Sequence, residues 1–210
     1  MCPRGELLSA LLDLLYPPRC AGCDAAGAWL CAACRAGRAS PRSPRPRHVR
    51  SLDALGRFEG PLRRAVHRFK YEREAVVADA LGSDLGDLVA RGLALGWRVD
   101  ALVPVPLAPR RVRERGFDQA DLLARAASRR SGVVRRRALR RVRETPSQVG
   151  LGRRERAANV AAAFAGQSIR GAVVLVDDVI TTGSTLSECA RTLRRAGASE
   201  VRAVVVAVEE

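Results

Sequence analysis

The chain has 210 residues, of which 47% are hydrophobic, and this is enough for one α/β domain with a small additional module. It contains no run of 18 apolar residues, and Glu6 and Asp13 interrupt its apolar start, which argues against a membrane helix and against a signal peptide. We therefore expect a cytoplasmic protein without membrane insertion.

Positive charge is concentrated in two parts of the chain. The formal net charge is +15, which predicts a polyanionic partner. Arg35 to Arg50 holds six Arg and no acid, and Arg110 to Arg156 holds sixteen Arg and five acids. These stretches carry +6 and +11, so the rest of the chain is slightly acidic. Since Lys70 is the single lysine, genome composition accounts for Arg in place of Lys, but it does not account for the clustering.

Three regions follow one another along the chain. Residues 1–36 hold a predicted short helix, over residues 5–15, and then a cluster of cysteines. Residues 37–50 are rich in Pro and Arg and are predicted to be a linker. Residues 51–210 alternate strand and helix patterns, which predicts a doubly wound parallel sheet. The predicted strands are 52–58, 100–106, 173–179 and 200–208, and the predicted helices are 61–71, 75–93, 117–130 and 184–197.

The cysteine cluster has the spacing CxxC–x7–CxxC. Two such units supply four thiolates, a closed tetrahedral set for a structural Zn²⁺. Disulfides are the rival reading, but they are disfavoured in a cytosolic chain and both loops would be tight. DNA binding, protein binding and packing against the main domain all stay open as roles for this module. The predicted zinc ligands are Cys20, Cys23, Cys31 and Cys34.

The stretch "VVLVDDVITTGST", residues 173–185, predicts a ligand site. Four aliphatic residues form a buried strand, two acids follow at its carboxyl end, and a Thr/Gly/Ser run then opens a helix. N–H groups at a helix N-terminus bind phosphate, while the acids suit the vicinal hydroxyls of a ribose, directly or through Mg²⁺. The predicted ligand is a ribose 5-phosphate, and the alternative is an ordinary strand–turn–helix junction. The candidate residues are Asp177, Asp178, Thr181, Thr182, Gly183, Ser184 and Thr185.

All thirteen positions of this stretch resemble the phosphoribosyl pyrophosphate (PRPP) signature of type I phosphoribosyltransferases. "DALVPVPLAPRRVRERGFDQA", residues 100–120, resembles the strand and pyrophosphate loop of that fold, and residues 140–164, with Gly150 and Gly152, resemble its mobile lid. The resemblance implies a PRPP and Mg²⁺ site. Candidates for contacting pyrophosphate are Arg110, Arg111, Arg113, Arg115 and Lys70.

Together with the paired CxxC units, these stretches resemble the ComF family of competence-associated proteins. Family members usually carry Asn where Asp118 stands. The resemblance implies a phosphoribosyltransferase-type domain behind a zinc module, with a role in DNA uptake or the processing of imported DNA. Some purine-salvage phosphoribosyltransferases carry an acidic base at a position of this motif where the present chain has Thr181, so that base is absent. The residues do not identify an acceptor substrate.

Three functions are compatible with the sequence. The first is a phosphoribosyltransferase that uses PRPP. The second is a non-catalytic sensor of PRPP or a nucleotide that works with a DNA-translocating helicase or ATPase. The third is a basic protein that binds nucleic acid, including single-stranded DNA, although only Phe117 of the eight aromatic residues that base stacking would use lies in the two Arg-rich stretches.

Overall fold

The computed structural model describes residues 17–39, 41, 46–71, 76–143 and 162–210. Within them lie α1 Ala32–Ala36, β1 Leu52–Arg57, α2 Gly60–Tyr71, α3 Val76–Ala94, β2 Ala101–Pro104, α4 Pro109–Arg115, α5 Gln119–Ser131, β3 Leu139–Arg141, β4 Phe164–Gly166, β5 Gly171–Ile180, α6 Ser184–Arg195 and β6 Ala198–Val208. None of the helices in the described ranges is long and apolar enough to cross a membrane. The predicted helix at 5–15 and the central part of the predicted lid, with Gly150 and Gly152, lie outside the described residues.

The main sheet has four strands in the order β1-β6-β5-β2, and every neighbouring pair is parallel. This confirms the predicted parallel α/β sheet. A single bridge from Leu102 to Arg135 extends pairing beyond β2 at that edge. The strands β3 and β4 form a separate antiparallel pair. The inner strands β5 and β6 have neighbours on both edges, and their side chains are buried on both faces of the sheet, which matches their nearly continuous apolar sequence.

Side chains that alternate along β5 divide the core into two halves. Val174 and Val176 face the half that contains buried side chains of α2, α3 and α5. Val173 and Leu175 face the other half, which contains α6 and the β3–β4 pair. This alternation is the period of two that a strand imposes. The carboxyl ends of the parallel strands lie between these two layers of helices.

Two features differ from the sequence prediction. The Arg-rich segment after β2, expected as a loop, contains the helix α4. Pro109 occupies the first turn of this helix, and Gly116 ends the helix in the left-handed conformation, with a φ of 83°. Pro tolerates the first helical position because no intrahelical donor is lost there, and Gly accepts the left-handed conformation without strain. In addition, β5 is longer than the predicted strand 173–179, since it begins at Gly171 and ends at Ile180, and both acids lie within it.

The helices α3 and α5 approach closely because α3 has two glycines on its contact face. A Cβ added to Gly82 would lie 2.5 Å from Ala126 Cβ and 2.7 Å from the Leu123 carbonyl oxygen. A Cβ on Gly86 would lie 2.6 Å from Arg130 Cβ. The spacing of four residues places both glycines on one face of α3. This contact fixes α5, and with it Asp118 at the start of α5, relative to the sheet.

We expect Gly82→Ala to lower the free energy of unfolding by about 1–3 kcal/mol, because the added methyl group overpacks the α3–α5 contact. Helix propensity alone predicts the opposite sign, since Ala is better than Gly by roughly 0.5–1 kcal/mol inside a helix. The matched control is Ala90→Gly at an exposed position of the same helix, which should lose about that propensity term. Urea unfolding measures both. A Gly82→Ala variant more stable than wild type would contradict the close packing.

Candidate functional site

The acids predicted to bind the ligand lie near the end of an inner strand. Asp177 is in register with Val205 of β6, and the strand runs on through Val179. Successive residues of a strand point to opposite faces, so the two carboxylates diverge. Asp178 faces α2. Asp177 faces α6, where its charge contributes to the raised pKa of the buried Cys189 thiol after the larger effect of burial.

Asp178 forms an ion pair with the only lysine of the chain. Lys70 Nζ, in the last turn of α2, lies 2.8 Å from Asp178 Oδ2. The two side chains are only 17% and 15% exposed, so solvent screens this pair less than it screens a surface pair. The structure thus brings together two residues that the sequence analysis assigned to different parts of the same site.

None of the ion pairs found among the described residues includes Asp177. Its Oδ1 accepts a hydrogen bond from the Asp178 N–H at 2.8 Å. Burial raises the pKa of Asp177 well above its usual range, and the Asp178 charge raises it further. The hydrogen bond and Lys70 oppose this rise without cancelling it. The charged form of Asp177 is therefore disfavoured, and a hydroxyl donor or a divalent cation would stabilise it.

A third acid stands close to this pair. Asp118 caps α5, since its Oδ1 accepts from the Asp121 N–H at 3.2 Å, and its Oδ2 accepts from the Leu107 N–H at 3.1 Å. Burial raises the pKa of Asp118, and its charge adds to the raised pKa of Asp177. Sequence analysis noted Asp118 only as a departure from the family pattern. The signal for a role was its place as an N-cap just after the Arg-rich segment.

Gln119 follows Asp118 and is 2% exposed. Neither its amide nitrogen nor its amide oxygen has a hydrogen-bond partner among the described residues. Buried amides are almost always paired, so an orphaned one at this place is consistent with a polar ligand or water that completes it. This residue was not predicted as part of the site.

The Thr/Gly/Ser run connects β5 to α6 as expected. Gly183 precedes the helix with a backbone φ of 75°, and the hydroxyls of Thr182 and Ser184 lie 3.0 Å apart. Thr181 and Thr185 are half-buried on either side of them. The first N–H groups of α6 therefore emerge beside two hydroxyl groups, which is the donor set that a phosphate group needs.

The predicted linker reaches this same turn. A Cβ on Gly183 would lie 3.2 Å from Pro46 Cγ, and Pro46 is buried. The Arg47 N–H donates to Ser187 Oγ at 2.9 Å. The end of the linker thus packs against the first turn of α6, and a side chain at position 183 would meet Pro46 as well as any bound phosphate.

The four predicted arginines of α4 do not gather at the acids. Arg110 pairs with Glu114 at 2.8 Å one turn along the same helix, and Arg111 and Arg113 are exposed. Among the residues that the structure describes, Arg115 is the one of the four with a recorded contact to another helix. Its guanidinium carbon lies 5.3 Å from the ring centre of Tyr71 on α2.

The basic stretch after α5 is partly neutralised. Asp121, which is 5% exposed, accepts hydrogen bonds from Arg137 at 2.7 and 3.0 Å and also binds Arg135. Burial opposes ionisation of Asp121, but these arginines hold its pKa below the usual value. Removal of charge at Arg135 or Arg137 would therefore disturb a buried network, whereas Arg136 is exposed. Only part of the predicted polyanion-binding charge in this stretch is available to a partner.

The four predicted metal ligands do converge. The Sγ atoms of Cys20, Cys23, Cys31 and Cys34 all lie within 4.8 Å of one another. Two of the sulfur–sulfur distances, Cys20 to Cys34 and Cys23 to Cys31, are each 3.7 Å. A tetrahedral zinc site with Zn–S bonds of about 2.3 Å has edges of about 3.8 Å. The donor set therefore fits Zn²⁺, while these distances are far longer than a disulfide bond.

Backbone donors support the thiolate form of these ligands. The N–H groups of Cys31 and Gly22 donate to Cys20 Sγ at 3.3 and 3.4 Å. Burial acts to raise the pKa of Cys20, but these donors outweigh it and lower the pKa to about 6. Burial and the neighbouring thiols raise the pKa of Cys34. A metal ion would stabilise all four ligands as thiolates.

The cysteine module, residues 17–37, packs against the main domain. Cys20, Leu30 and Cys34 belong to the same core half as α2 and α3. Arg64 Nε of α2 donates to the Gly22 carbonyl at 2.6 Å. Asp84 of α3 binds Arg35 at 3.0 Å and also binds Arg38. Of the roles left open for the module, packing against the main domain is thus observed.

We expect the purified protein to contain one Zn²⁺ per chain and Cys20→Ser to lose it, because the remaining three thiolates no longer close the site. The variant should also unfold at a lower temperature, since zinc binding energy is folding energy. Cys189→Ala, which changes a buried thiol far from the cluster in sequence, is the control and should retain its zinc. Metal analysis under reducing conditions decides the point, and zinc-free wild-type protein would contradict the assignment.

Comparison with known proteins agrees with this geometry. The family model for the phosphoribosyl transferase domain matches residues 120–209. The DNA utilization protein YhgH of Salmonella typhimurium is 36% identical over 187 residues, which span 82% of this chain and 81% of that protein. Competence protein F of Haemophilus influenzae is 34% identical over 157 residues, 70% of this chain and 68% of that protein. YhgH of Escherichia coli K12 is 37% identical over 156 residues, 72% and 69% of the two chains.

The parallel sheet, the acids of β5 and the matching family model define a phosphoribosyltransferase-type domain. The chain as a whole, with its cysteine module and its relatives, belongs to the ComF family, as its sequence motifs indicated.

Proposed function

We propose that the domain binds PRPP together with Mg²⁺, and that the protein acts in the uptake or processing of DNA. The observation that carries the first part is the pair Asp177 and Asp178, two largely enclosed carboxylates in an inner strand. The first residue of α6, Ser184, follows six positions after Asp178, and the hydroxyl groups of Thr182 and Ser184 lie at this helix N-terminus. Carboxylates bind hydroxyl donors or cations, whereas a phosphate-binding turn binds an anion. A ribose 5-phosphate carries both hydroxyl groups and a phosphate, so it fits both parts of the site.

Each residue of the site has a distinct role in this proposal. The N–H groups at the start of α6, with Thr182 and Ser184, bind the 5-phosphate. Asp177 and Asp178 accept hydrogen bonds from the ribose hydroxyls. Mg²⁺, when bound, neutralises negative charge on the pyrophosphate, and the carboxylates supply the oxygen ligands that this ion prefers.

Lys70 would serve both the free and the bound protein. In the free protein it offsets the charge of Asp178 at 2.8 Å. Hydroxyl groups or a cation bound to the carboxylates would weaken that pairing, so that the ammonium group becomes available to pyrophosphate oxygens. The arginines of α4, which lie on the segment after β2, are the remaining candidates for that role.

The role in DNA handling is supported by the names of the relatives, which are DNA utilization and competence proteins. The net charge of +15 supports contact with a polyanion such as single-stranded DNA. A DNA-translocating helicase is the partner that a competence role would require. PRPP binding by itself suits either a transferase or a sensor, and release of pyrophosphate distinguishes the two.

We expect wild-type protein to bind PRPP with Mg²⁺ and the double variant Asp177→Asn/Asp178→Asn to bind it two to four decades more weakly. Each charge-assisted hydrogen bond is worth about 1.5–3 kcal/mol, and about 1.4 kcal/mol corresponds to one decade. Calorimetric titration measures the affinity. The control is Asp79→Asn, an exposed acid of α3 whose partner is Arg129.

Equal affinity of the double variant and wild type would overturn the assignment of these acids. A wild-type protein that does not bind PRPP at all would overturn the proposed ligand. Circular dichroism of each variant checks that the fold is retained, so that a loss of binding is not a loss of structure.

A further inference from the structure

The most exposed aromatic side chain in the described part of the chain is Tyr71, the last residue of α2, at 61% exposure. Its ring has a cationic and an aromatic neighbour. The guanidinium carbon of Arg115 lies 5.3 Å from the ring centre, and the His67 ring lies 4.7 Å away at a tilt of 44°. A large ring that stays in water while charged and planar groups surround it is suited to bind another planar group.

A stacked pair of phenylalanines anchors the chain next to Tyr71 and Arg115. Phe69 and Phe117 stack with ring centres 5.6 Å apart and an angle of 18° between their planes. Phe69 is fully buried. Tyr71 lies two residues along the chain from Phe69, and Arg115 lies two residues from Phe117, which is partly buried. The exposed surface is thus positioned before any ligand arrives, which lowers the entropic cost of binding.

The same helix turn reaches the candidate ribose-phosphate site. Lys70, next to Tyr71, contacts Asp178 at 2.8 Å. Three contacts therefore follow in sequence along α2, from Phe69 in the core, through Lys70 at the acids, to Tyr71 at the surface. Tyr71 thus directly follows, in the chain, the lysine that binds Asp178.

We infer that Tyr71 and Arg115 form a stacking site for a nucleobase beside the ribose-phosphate site. Aromatic rings and guanidinium planes are the side chains on which unpaired bases stack, because both present a flat polarizable face. Arg115 also offers a positive charge to a phosphate attached to the same nucleotide. The base belongs either to a free nucleoside or nucleotide or to a single strand of nucleic acid.

This inference rests on the proposed function in one respect, since it places the stacked base next to bound PRPP. Stacking on Tyr71 and binding of PRPP involve different side chains, so they are measured separately. The two Arg-rich stretches contain one aromatic residue, Phe117, and its ring stacks on Phe69. The fold supplies an exposed ring by placing α2 against α4, since Tyr71 and Arg115 are 44 positions apart in the chain.

The test compares Tyr71→Leu and Tyr71→Phe with wild type. The probes are adenosine, uridine and a 15-nucleotide single-stranded DNA, each titrated at one fixed salt concentration. We expect Tyr71→Leu to weaken binding about five- to a hundredfold, the range of base–aromatic stacking, while Tyr71→Phe stays within about threefold because the ring is kept. Trp29→Leu, at a partly exposed aromatic of the cysteine module, is the matched control and should bind like wild type.

The two sources of the base give different results. Ring-dependent binding of the nucleosides supports a free acceptor or nucleotide, and ring-dependent binding of the oligonucleotide alone supports a single strand. Tyr71→Leu that binds every probe as tightly as wild type overturns the inference, as does a Phe variant that is as weak as the Leu variant. Wild-type protein that binds none of the probes overturns it too.

Titration with PRPP and Mg²⁺ separates this failure from a failure of the proposed function. Tyr71→Leu should bind PRPP as wild type does. If wild type binds PRPP but base binding is independent of Tyr71, the stacking site is wrong and the ribose-phosphate site stands. If base binding depends on Tyr71 but PRPP does not bind, the stacking site stands without its proposed neighbour.

Discussion

The contact between Lys70 and Asp178 links the functional end of the sheet to the helices that cover it. An inner parallel strand is an expensive place for two carboxylates, because burial disfavours their charged forms. One ammonium group, 2.8 Å from Asp178, offsets part of this cost, and Asp177 keeps a raised pKa. A sheet selected for stability alone would carry aliphatic residues at both positions. The excess negative charge is intelligible if a ligand brings hydroxyl donors or a cation to it.

The helix α2 connects the Lys70–Asp178 ion pair to the cysteine module. Its first turns meet the module through the Arg64 hydrogen bond to Gly22, and its last turn holds Phe69, Lys70 and Tyr71 against the site. The module and the site thus share one rigid element. A structural zinc site at one end of α2 would stabilise the placement of Lys70 at the other end, which gives the module a physical role in the domain whether or not it also binds a partner.

The sequence predicted most of the fold because its signals were local. Two of the parallel strands were predicted from the apolar runs in residues 100–106 and 173–176, and the end of α5 was predicted from Gly132, which takes a φ of 75°. The paired CxxC units predicted a cysteine cluster whose four sulfurs do converge. The helix α4 was missed because its Arg-rich sequence has no apolar stripe, although Pro109 and Gly116 mark its two ends.

The parts of the site that sequence could not supply depend on contacts between distant residues. The pairing of Lys70 with Asp178 spans more than a hundred positions, and no local pattern encodes it. Asp118 and Gln119 lie at an ordinary helix start, and only burial shows that their polar groups are unusual. The Tyr71–Arg115 contact likewise exists only because α2 and α4 meet. For Arg110 and Arg111, residue type alone predicts a ligand contact, and the structure adds that Arg110 pairs with Glu114.

The stability of Asp177→Asn most directly tests whether this carboxylate is held for a ligand at a cost to the fold. Because the pKa of Asp177 is raised on folding, the folded state binds more protons than the unfolded chain between the two pKa values, and stability falls as pH rises through that window. Asn keeps the acceptor for the Asp178 N–H and removes the charge. Urea unfolding at neutral pH should therefore show the variant to be more stable than wild type. This difference in unfolding free energy should shrink as the pH is lowered. Saturating PRPP with Mg²⁺ should stabilise wild type alone. A variant that is less stable than wild type without ligand would contradict the account.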